Sequence, residues 1–333
     1  MSKLTVREIA ALAGVSPSTV TRVLQDHPRI TDETKQKVRN IIHQYNQKPL
    51  GVLIANPMGN LESDNFFADV INGANEFLQG SGRQILLETF DGKTEHGLPA
   101  IVTMNKVSGL IVGGIPIDDA IIKELCNTKL PIVFIGRYLD EYENLNAVIP
   151  DNVTGGQKVA EHLLECGYEH FVFMGGNLRT NTFADRLQGF RQALESNGRE
   201  ISDDQIIVSE MTQQGGYAAT KQLIDKLPPQ RTGIFAATDW MAAGVLRAFQ
   251  EEQVRIPQEV GIVGYSDIDL ASHIYPSLSS VRVEKQQLGW LAARTLIDQL
   301  DNRFVGPVQI HLQPQLVARE TTVETYQGMK EED

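Results

Sequence analysis

A chain of 333 residues with 41% hydrophobic side chains is long enough for two or three domains and apolar enough to fill their cores. No apolar run approaches the ~18 residues that cross a bilayer, and Lys3, Arg7 and Glu8 interrupt the beginning as no signal peptide would, so a cytoplasmic protein without membrane attachment is expected. The net charge of −12 excludes a protein that coats nucleic acid along its whole length, yet residues 1–49 hold eight Lys and Arg against four Asp and Glu while the remainder holds 22 against 38, so a small basic head is the part suited to phosphate.

Three short helices are predicted in that head. Thr5-Val6-Arg7-Glu8 is a capping box, and Val6, Ile9, Ala10 and Ala13 behind it make one apolar stripe. Gly14 suits a tight turn. Ser16 then caps a second helix with Pro17 at its first position, where a missing N–H costs nothing. In that helix Val20, Val23 and Leu24 are expected to face inward, and Ser18, Thr21, Arg22 and Gln25 outward. Thr31 caps the third helix, Asp32 and Glu33 sit where the helix dipole favours negative charge, and Val38, Ile41, Ile42 and Tyr45 form its buried stripe. Two helices joined across a glycine turn, with a third closing a small core, is the helix-turn-helix arrangement. Its second helix would show hydroxyls suited to phosphate and one arginine able to read a guanine edge. On spacing alone, a three-helix bundle with a solvated polar face stays open.

Only Asn46 to Leu50 separate Tyr45 from Gly51, a stretch that reaches roughly 17 Å when extended. From there apolar strands alternate with amphipathic helices. Strands are predicted at 51–55, 83–89, 109–112, 131–135, 170–174, 205–208, 233–237 and 260–264, with helices such as 66–80, 152–166, 186–197, 216–227 and 240–253 between them. This alternation implies doubly wound parallel sheets, and eight strands divide into two sheets with a cleft outside their carboxyl ends. Cys126 and Cys166 show no metal-ligand or redox spacing and read as small apolar residues in a reducing compartment. The seven histidines do not gather with them at ligand spacing, and there is no G-x-S-x-G elbow, Walker loop or H-E-x-x-H, so no enzyme, metal or cofactor is expected.

The stretch "LTVREIAALAGVSPSTVTRVLQDHPRITDETKQKV" closely resembles the head of the lactose/galactose repressor family of bacterial transcription regulators. That family's pattern is T-x-x-D/E-[VI]-A-x-x-A-G-V-S-x-x-T-V-[ST]-R-V-[LIV], and every fixed position is matched here. The body is similar to the family's sensor core, of the periplasmic-binding-protein type, through "FFADVINGANEFLQGSGRQILL", "VSGLIVGG", "PIVFIGR", "VIPDNVTGGQKVAEHLLECGY", "RLQGFRQAL", "TDWMAAGVL" and "VGYSDIDLASHIYPSLSSV", in the family's order. The head and "PIVFIGR" lean toward the maltose-type regulators. The resemblance implies an all-α helix-turn-helix head (1–46) and a shortened linker (47–50). It implies two α/β doubly wound parallel-sheet subdomains (51–148 with 284–307, and 149–283 with 308–325) and a disordered tail (326–333). It implies a homodimeric repressor of carbohydrate-utilisation genes that binds operator DNA under the control of a sugar or sugar phosphate in the inter-subdomain cleft.

Residue by residue, the resemblance places Pro17, Ser18 and Arg22 at base-reading positions, and Thr5, Ser16, Thr19 and Thr21 where the family contacts phosphate or caps helices. In the cleft it places the aromatic pair Phe66 and Phe67, Arg186 at the head of R-x-x-G-F, and Asp239 with Trp240, followed by Asp151, Asn181 and Thr182. Core packing of Phe66, Phe67 and Trp240, and a surface ion pair for Arg186, stay open from the residues themselves. Two departures stand out. Where the family often has Asp-Asp after "VGY", this chain has Ser266-Asp267, and a hydroxyl cannot accept two sugar hydroxyls as a carboxylate does. The family's P-N-x-x-A-R-x-L hinge segment, about a dozen residues, is missing. Three explanations stay open: the segment was excised, it was lost and DNA is gripped differently, or the chain is a cytosolic sugar sensor that no longer binds an operator.

Overall fold

In the computed structural model, residues 5–46, 48–55, 65–79, 81–93, 95, 97–114, 117–137, 145–304 and 306–323 are described. Gln47, the side chain of Tyr45 and the expected tail at 326–333 lie outside them. The head forms α1 (Val6–Ala13), α2 (Pro17–Leu24) and α3 (Asp32–Asn46). Its caps are the ones that the residues dictate. Glu8 N donates to Thr5 Oγ1 at 3.4 Å while Thr5 N donates to Glu8 Oε2 at 2.7 Å, and Thr19 N donates to Ser16 Oγ at 3.1 Å. Gly14, at φ +64°, ends α1 in the left-handed region that lacks a penalty only for glycine. Ile9, Ala10, Ala13, Val20, Val23 and Val38 form the small core, with Val15, Ile30, Ile41 and Ile42 packed around it. Leu24 is a correction: it is 58% exposed. It is the last residue of α2, and Val15 and Ile30 from the flanking turns close the core in its place.

The body holds two six-stranded sheets. The first combines β1 (Leu50–Ala55), β2 (Ile85–Phe90), β3 (Leu110–Gly114), β4 (Ile132–Ile135), β5 (Asn146–Pro150) and β11 (Gln309–Leu312) in the order β11-β5-β4-β3-β1-β2. The second combines β6 (His170–Gly175), β7 (Ile206–Val208), β8 (Thr232–Ala236), β9 (Val260–Ser266), β10 (Ser279–Arg282) and β12 (Gln315–Val317) in the order β12-β10-β9-β8-β6-β7. Strands β1 and β2, β6 and β8, and β8 and β9 pair in parallel, whereas β10 and β12 run antiparallel with Val281 opposite Leu316. Four strands fall outside the apolar pattern. Of these, β10 is half serine, β11 and β12 lie at sheet edges with partly exposed side chains, and β5 is short and ends in proline.

The connecting helices are α4 (Asn65–Leu78), α5 (Ala100–Thr103), α6 (Asp119–Asn127), α7 (Asn152–Glu165), α8 (Asn181–Ser196), α9 (Gln213–Leu223), α10 (Asp239–Glu251), α11 (Asp269–His273) and α12 (Lys285–Leu300). The chain divides into two compact units. One comprises Met1–Gly59, Ile71–Val133 and Gly289–Gly306, the other Asn60–Val70, Phe134–Leu288 and Pro307–Asp333.

Two features of the second unit fix the surroundings of Arg186. Helices α7 and α8 cross at a pair of glycines: Gly156 lies against the carbonyl of Arg186, Gly189 against the carbonyl of Val153, and a Cβ on either would collide with backbone. An aromatic row also crosses the core of this unit. Phe190 lies 5.4 Å from Phe235, and Phe235 lies 6.2 Å from Tyr265 between ring centroids. Tyr265, completely buried on β9, carries that row to the carboxyl end of the sheet.

Candidate functional site

Two sites emerge, one in the head and one in the second unit. On α2, Pro17, Ser18, Thr21 and Arg22 are exposed and Thr19 is half-buried. The hydroxyls are already engaged locally. Ser16 Oγ lies 2.8 Å from Ser18 Oγ and from Thr19 Oγ1, and Thr21 Oγ1 donates to the Pro17 carbonyl at 3.1 Å. Thr5 Oγ1 donates to Glu8 Oε2 at 2.8 Å, so this hydroxyl serves the cap. Arg22 makes no hydrogen bond or ion pair among the described residues. The next acid along the chain, Asp26, is held by Lys35 at 3.0 Å and Arg39 at 2.8 Å, and Lys35 first, then Arg39, keeps its carboxyl below the ordinary range. The outer face of α2 therefore presents one uncommitted guanidinium among neutral hydroxyls, a surface suited to a phosphate-lined groove and a guanine edge.

The second site centres on Arg186. It lies on the second turn of α8, five residues after the helix begins, and only 6% of it is exposed. This replaces the expectation of a helix-start arginine. Nε donates to Asn152 Oδ1 at 2.9 Å, Nη1 donates to the Ala237 carbonyl, and the guanidinium carbon stands 3.5 Å from the Tyr265 ring centroid. Burial pulls the guanidinium below its ordinary pKa and pushes the Tyr265 hydroxyl up to about 12. No carboxylate pairs with Arg186 directly, and Nη2 makes no hydrogen bond among the described residues. A largely buried planar fork with spare donors is suited to a ligand rich in oxygen acceptors. Asn152 and Tyr265 are absent from the residues expected here. The tyrosine closing the apolar strand "VGIVGY" is the one signal in the sequence that could have found either.

The other expected residues lie on or cap five different elements. Asp151 caps α7: its carboxylate accepts from Thr154 N at 2.9 Å, Thr154 Oγ1 at 2.8 Å and Gln313 Nε2 at 2.9 Å. Burial acts to raise its pKa, and the bonds from Thr154 and Gln313 outweigh it. Asn181 opens α8, and Thr182 beside it is buried and donates to the Gly136 carbonyl at 2.9 Å. Asp239 is 1% exposed, and both its oxygens are used inside the fold, by Ser280 Oγ at 2.5 Å and Ile268 N at 2.9 Å. Burial raises that carboxyl to about 6 despite these bonds. Trp240 beside it is half-buried. Ser266 ends β9 at φ +107°, and its carbonyl accepts from Lys285 Nζ at 2.9 Å. Next to it Asp267 is clamped by Arg282 at 2.8 Å and Arg319 at 2.7 Å. Phe66 and Phe67 are both half-buried and meet edge to face at 5.1 Å.

For metal chemistry the described residues offer little. No group of three or more His, Cys, Asp or Glu gathers as ligands. His162 and Cys166 do meet, with Sγ 3.7 Å from Nε2, because residues four apart share a helix face. The same Nε2 lies 2.7 Å from Thr322 Oγ1, and burial holds the imidazole below and the thiol above their ordinary values.

The head and body each match a known family model. Residues 5–49 match the bacterial regulatory proteins of the lacI family, and residues 160–322 match a periplasmic binding protein-like domain. The chain belongs to the LacI family of transcriptional regulators. This LacI-family regulator is 28% identical over 333 residues to the HTH-type transcriptional regulator CelR of Thermobifida fusca, covering 95% of this chain and 98% of that one. It is 29% identical over 330 residues to the ribose operon repressor of Haemophilus influenzae, with the same coverage. The solved structure of a transcriptional regulator CelR–cellobiose complex superposes with a TM-score of 0.77 at 28% identity, covering 96% of this chain and 99% of the other. The LacI-family regulator is thus a DNA-binding transcription factor with an effector-binding body rather than an enzyme, and among its described residues no helix is long and apolar enough to cross a membrane.

Proposed function

We propose that this chain is a cytoplasmic homodimeric repressor of carbohydrate-utilisation genes, with operator affinity set by a sugar or sugar-derived effector. The head, 1–46, reads one operator half-site: Arg22, Pro17 and Ser18 face the bases, while Thr5, Ser16, Thr19 and Thr21 support the helix ends and the phosphate contacts. The body, in subdomains 51–148 with 284–307 and 149–283 with 308–325, holds the effector. Arg186 anchors it, Phe66, Phe67 and Trp240 supply apolar faces, and Asn181, Thr182, Asp151 and Ser266 line the remaining edge. Asp239 acts through the loop that it ties down.

The observation that carries this reading is Arg186, a buried cation that among the described residues meets an amide, a carbonyl and a ring, with donors to spare. The cellobiose complex of one relative and the ribose operon named for another support a carbohydrate ligand. An effector can change operator affinity only through unequal affinity for the operator-binding and released states. The test is a melting screen of sugars and sugar phosphates. A ligand well above its dissociation constant raises the melting temperature by mass action, and the same ligand changes protection of DNA beside the protein's own gene. A screen in which no sugar shifts the melting point, with DNA protection indifferent to all of them, counts against it.

A further inference from the structure

Helix α3 runs to Asn46, and from Lys48 onward the chain is fastened down. Lys48 Nζ donates to the Asn105 carbonyl at 2.9 Å and to Asn105 Oδ1 at 2.8 Å. Asn105, which turns both acceptors to one ammonium, sits at φ +51°, a conformation that asparagine tolerates better than most residues. Ser108 holds the same stretch from the other side: its hydroxyl donates to the Lys48 carbonyl at 3.2 Å and its N–H to the Pro49 carbonyl at 2.9 Å. Pro49 and Leu50 are already buried. Head, joint and Asn105–Ser108 all belong to one compact unit.

Gln47 alone therefore stands between the last residue of the head's helix and the first fastened residue of the body. Two Cα–Cα steps span at most about 7.6 Å. A flexible linker of a dozen residues would spread its ends by roughly 20 Å and let a head search for its half-site. Here the joint itself adds only a few ångströms of reach. In a dimer the bodies then set the separation of the two heads. Two linked binding events reinforce each other only when both sites lie within reach, and the gain vanishes when geometry forbids it.

We infer that the Lys48–Asn105 lock is a specificity determinant for operator geometry: this regulator accepts its two half-sites at one separation. The inference rests on the operator-binding homodimer proposed above. It explains how a chain with so short a joint can be selective without any further contact to DNA, since one added base pair displaces a half-site by 3.4 Å and turns it by about 35°.

The test uses the full-length protein. A duplex selected from a random pool gives the half-sites, and a series with one and two base pairs added or removed between them is then titrated. Wild type loses at least about tenfold in affinity at each single-base-pair change. Inserting Gly-Ser-Gly-Ser between Asn46 and Gln47 brings all the spacings to within threefold of one another, and Lys48→Ala flattens the profile partway. Both keep the wild-type melting temperature of the body and its affinity for a single half-site. Wild type that binds three adjacent spacings equally well overturns the lock while leaving operator binding in place. Failure to select any duplex overturns both.

Discussion

The guanidinium carbon of Arg186 lies 3.5 Å from the ring centroid of Tyr265, so the buried cation of the sensor rests flat on a buried aromatic face. Such a contact contributes about 2 kcal/mol when desolvated, less than the cost of taking a charge out of water. Asn152 and the Ala237 carbonyl supply part of the difference, and arginine cannot escape the remainder by losing its proton. The site is therefore built around a fixed positive charge that neutral acceptors satisfy incompletely. A ligand bringing oxygen acceptors to Nη2 gains more there than at a solvated arginine, because the side chain is already largely buried.

Arg186→Ala is accordingly expected to abolish the effector-induced rise in melting temperature. Arg186→Lys is expected to weaken effector binding by about 10- to 100-fold, the equivalent of one lost charge-assisted hydrogen bond, because an ammonium neither stacks on Tyr265 nor reaches Asn152 and the ligand together. Isothermal titration of the three proteins with the ligand found by the melting screen measures this. Full wild-type affinity in Arg186→Ala would remove Arg186 from the effector site.

Arg22 is the one uncommitted cation on the outer face of α2, and its substitution tests the head separately. Arg22→Ala should cost about 1–3 kcal/mol of discrimination against the operator mismatched at the base pair it reads, while non-specific binding at low salt changes little. Footprinting and competition titrations give both quantities. An unchanged footprint would mean that base readout lies elsewhere on the head.

The head is the most legible part of the sequence because its signals are local. Thr5 with Glu8, and Ser16 with Thr19, cap across three residues, and Pro17 marks the first position of its helix. The interior strands β1, β3, β4, β6, β8 and β9 are legible as apolar runs. What escapes depends on partners far along the chain. Asn152 lies 34 residues before Arg186 and Ser280 lies 41 after Asp239, and no periodicity encodes such pairings. The apolar pattern starts α8 five residues late because Thr180, its N-cap residue, makes no side-chain capping bond, and that displacement hides the burial of Arg186. Ser279 and Ser280 disguise a fully interior strand as a loop: their hydroxyls are consumed by Thr322, Asp239 and the Arg319 backbone.

The crossing of α7 and α8 yields a third prediction. A methyl at Gly189 meets the Val153 carbonyl, and one at Gly156 meets the Arg186 carbonyl, so the helices must separate in either variant. Overpacking of this kind costs about 1–3 kcal/mol. Gly189→Ala and Gly156→Ala should both melt several degrees lower than wild type. Gly156→Ala should also bind effector more weakly, since the backbone it displaces carries Arg186. Melting curves with and without ligand separate the two effects. Wild-type stability in both variants would show that α7 and α8 have room to spare.

Asp239 links pH to the stability of the same region. Its carboxyl is raised to about 6, first by burial and further by Asp267, with Ser280, the Ile268 N–H and Lys285 opposing the shift. In the unfolded chain it titrates near 3.9. Between those values the native state holds more protons than the unfolded one, so the stability from this group is present below about pH 4 and is lost as pH rises through 6. Two pH units correspond to about 3 kcal/mol. Asp239→Asn cannot ionise and lacks this term. Its unfolding free energy relative to wild type should therefore rise by about 2–3 kcal/mol between pH 4 and pH 7 and level off above that. Urea unfolding at stepped pH measures the difference. A difference that stays flat across the range would mean that Asp239 keeps an ordinary carboxylate pKa and that Ser280 and Ile268 fully compensate its burial.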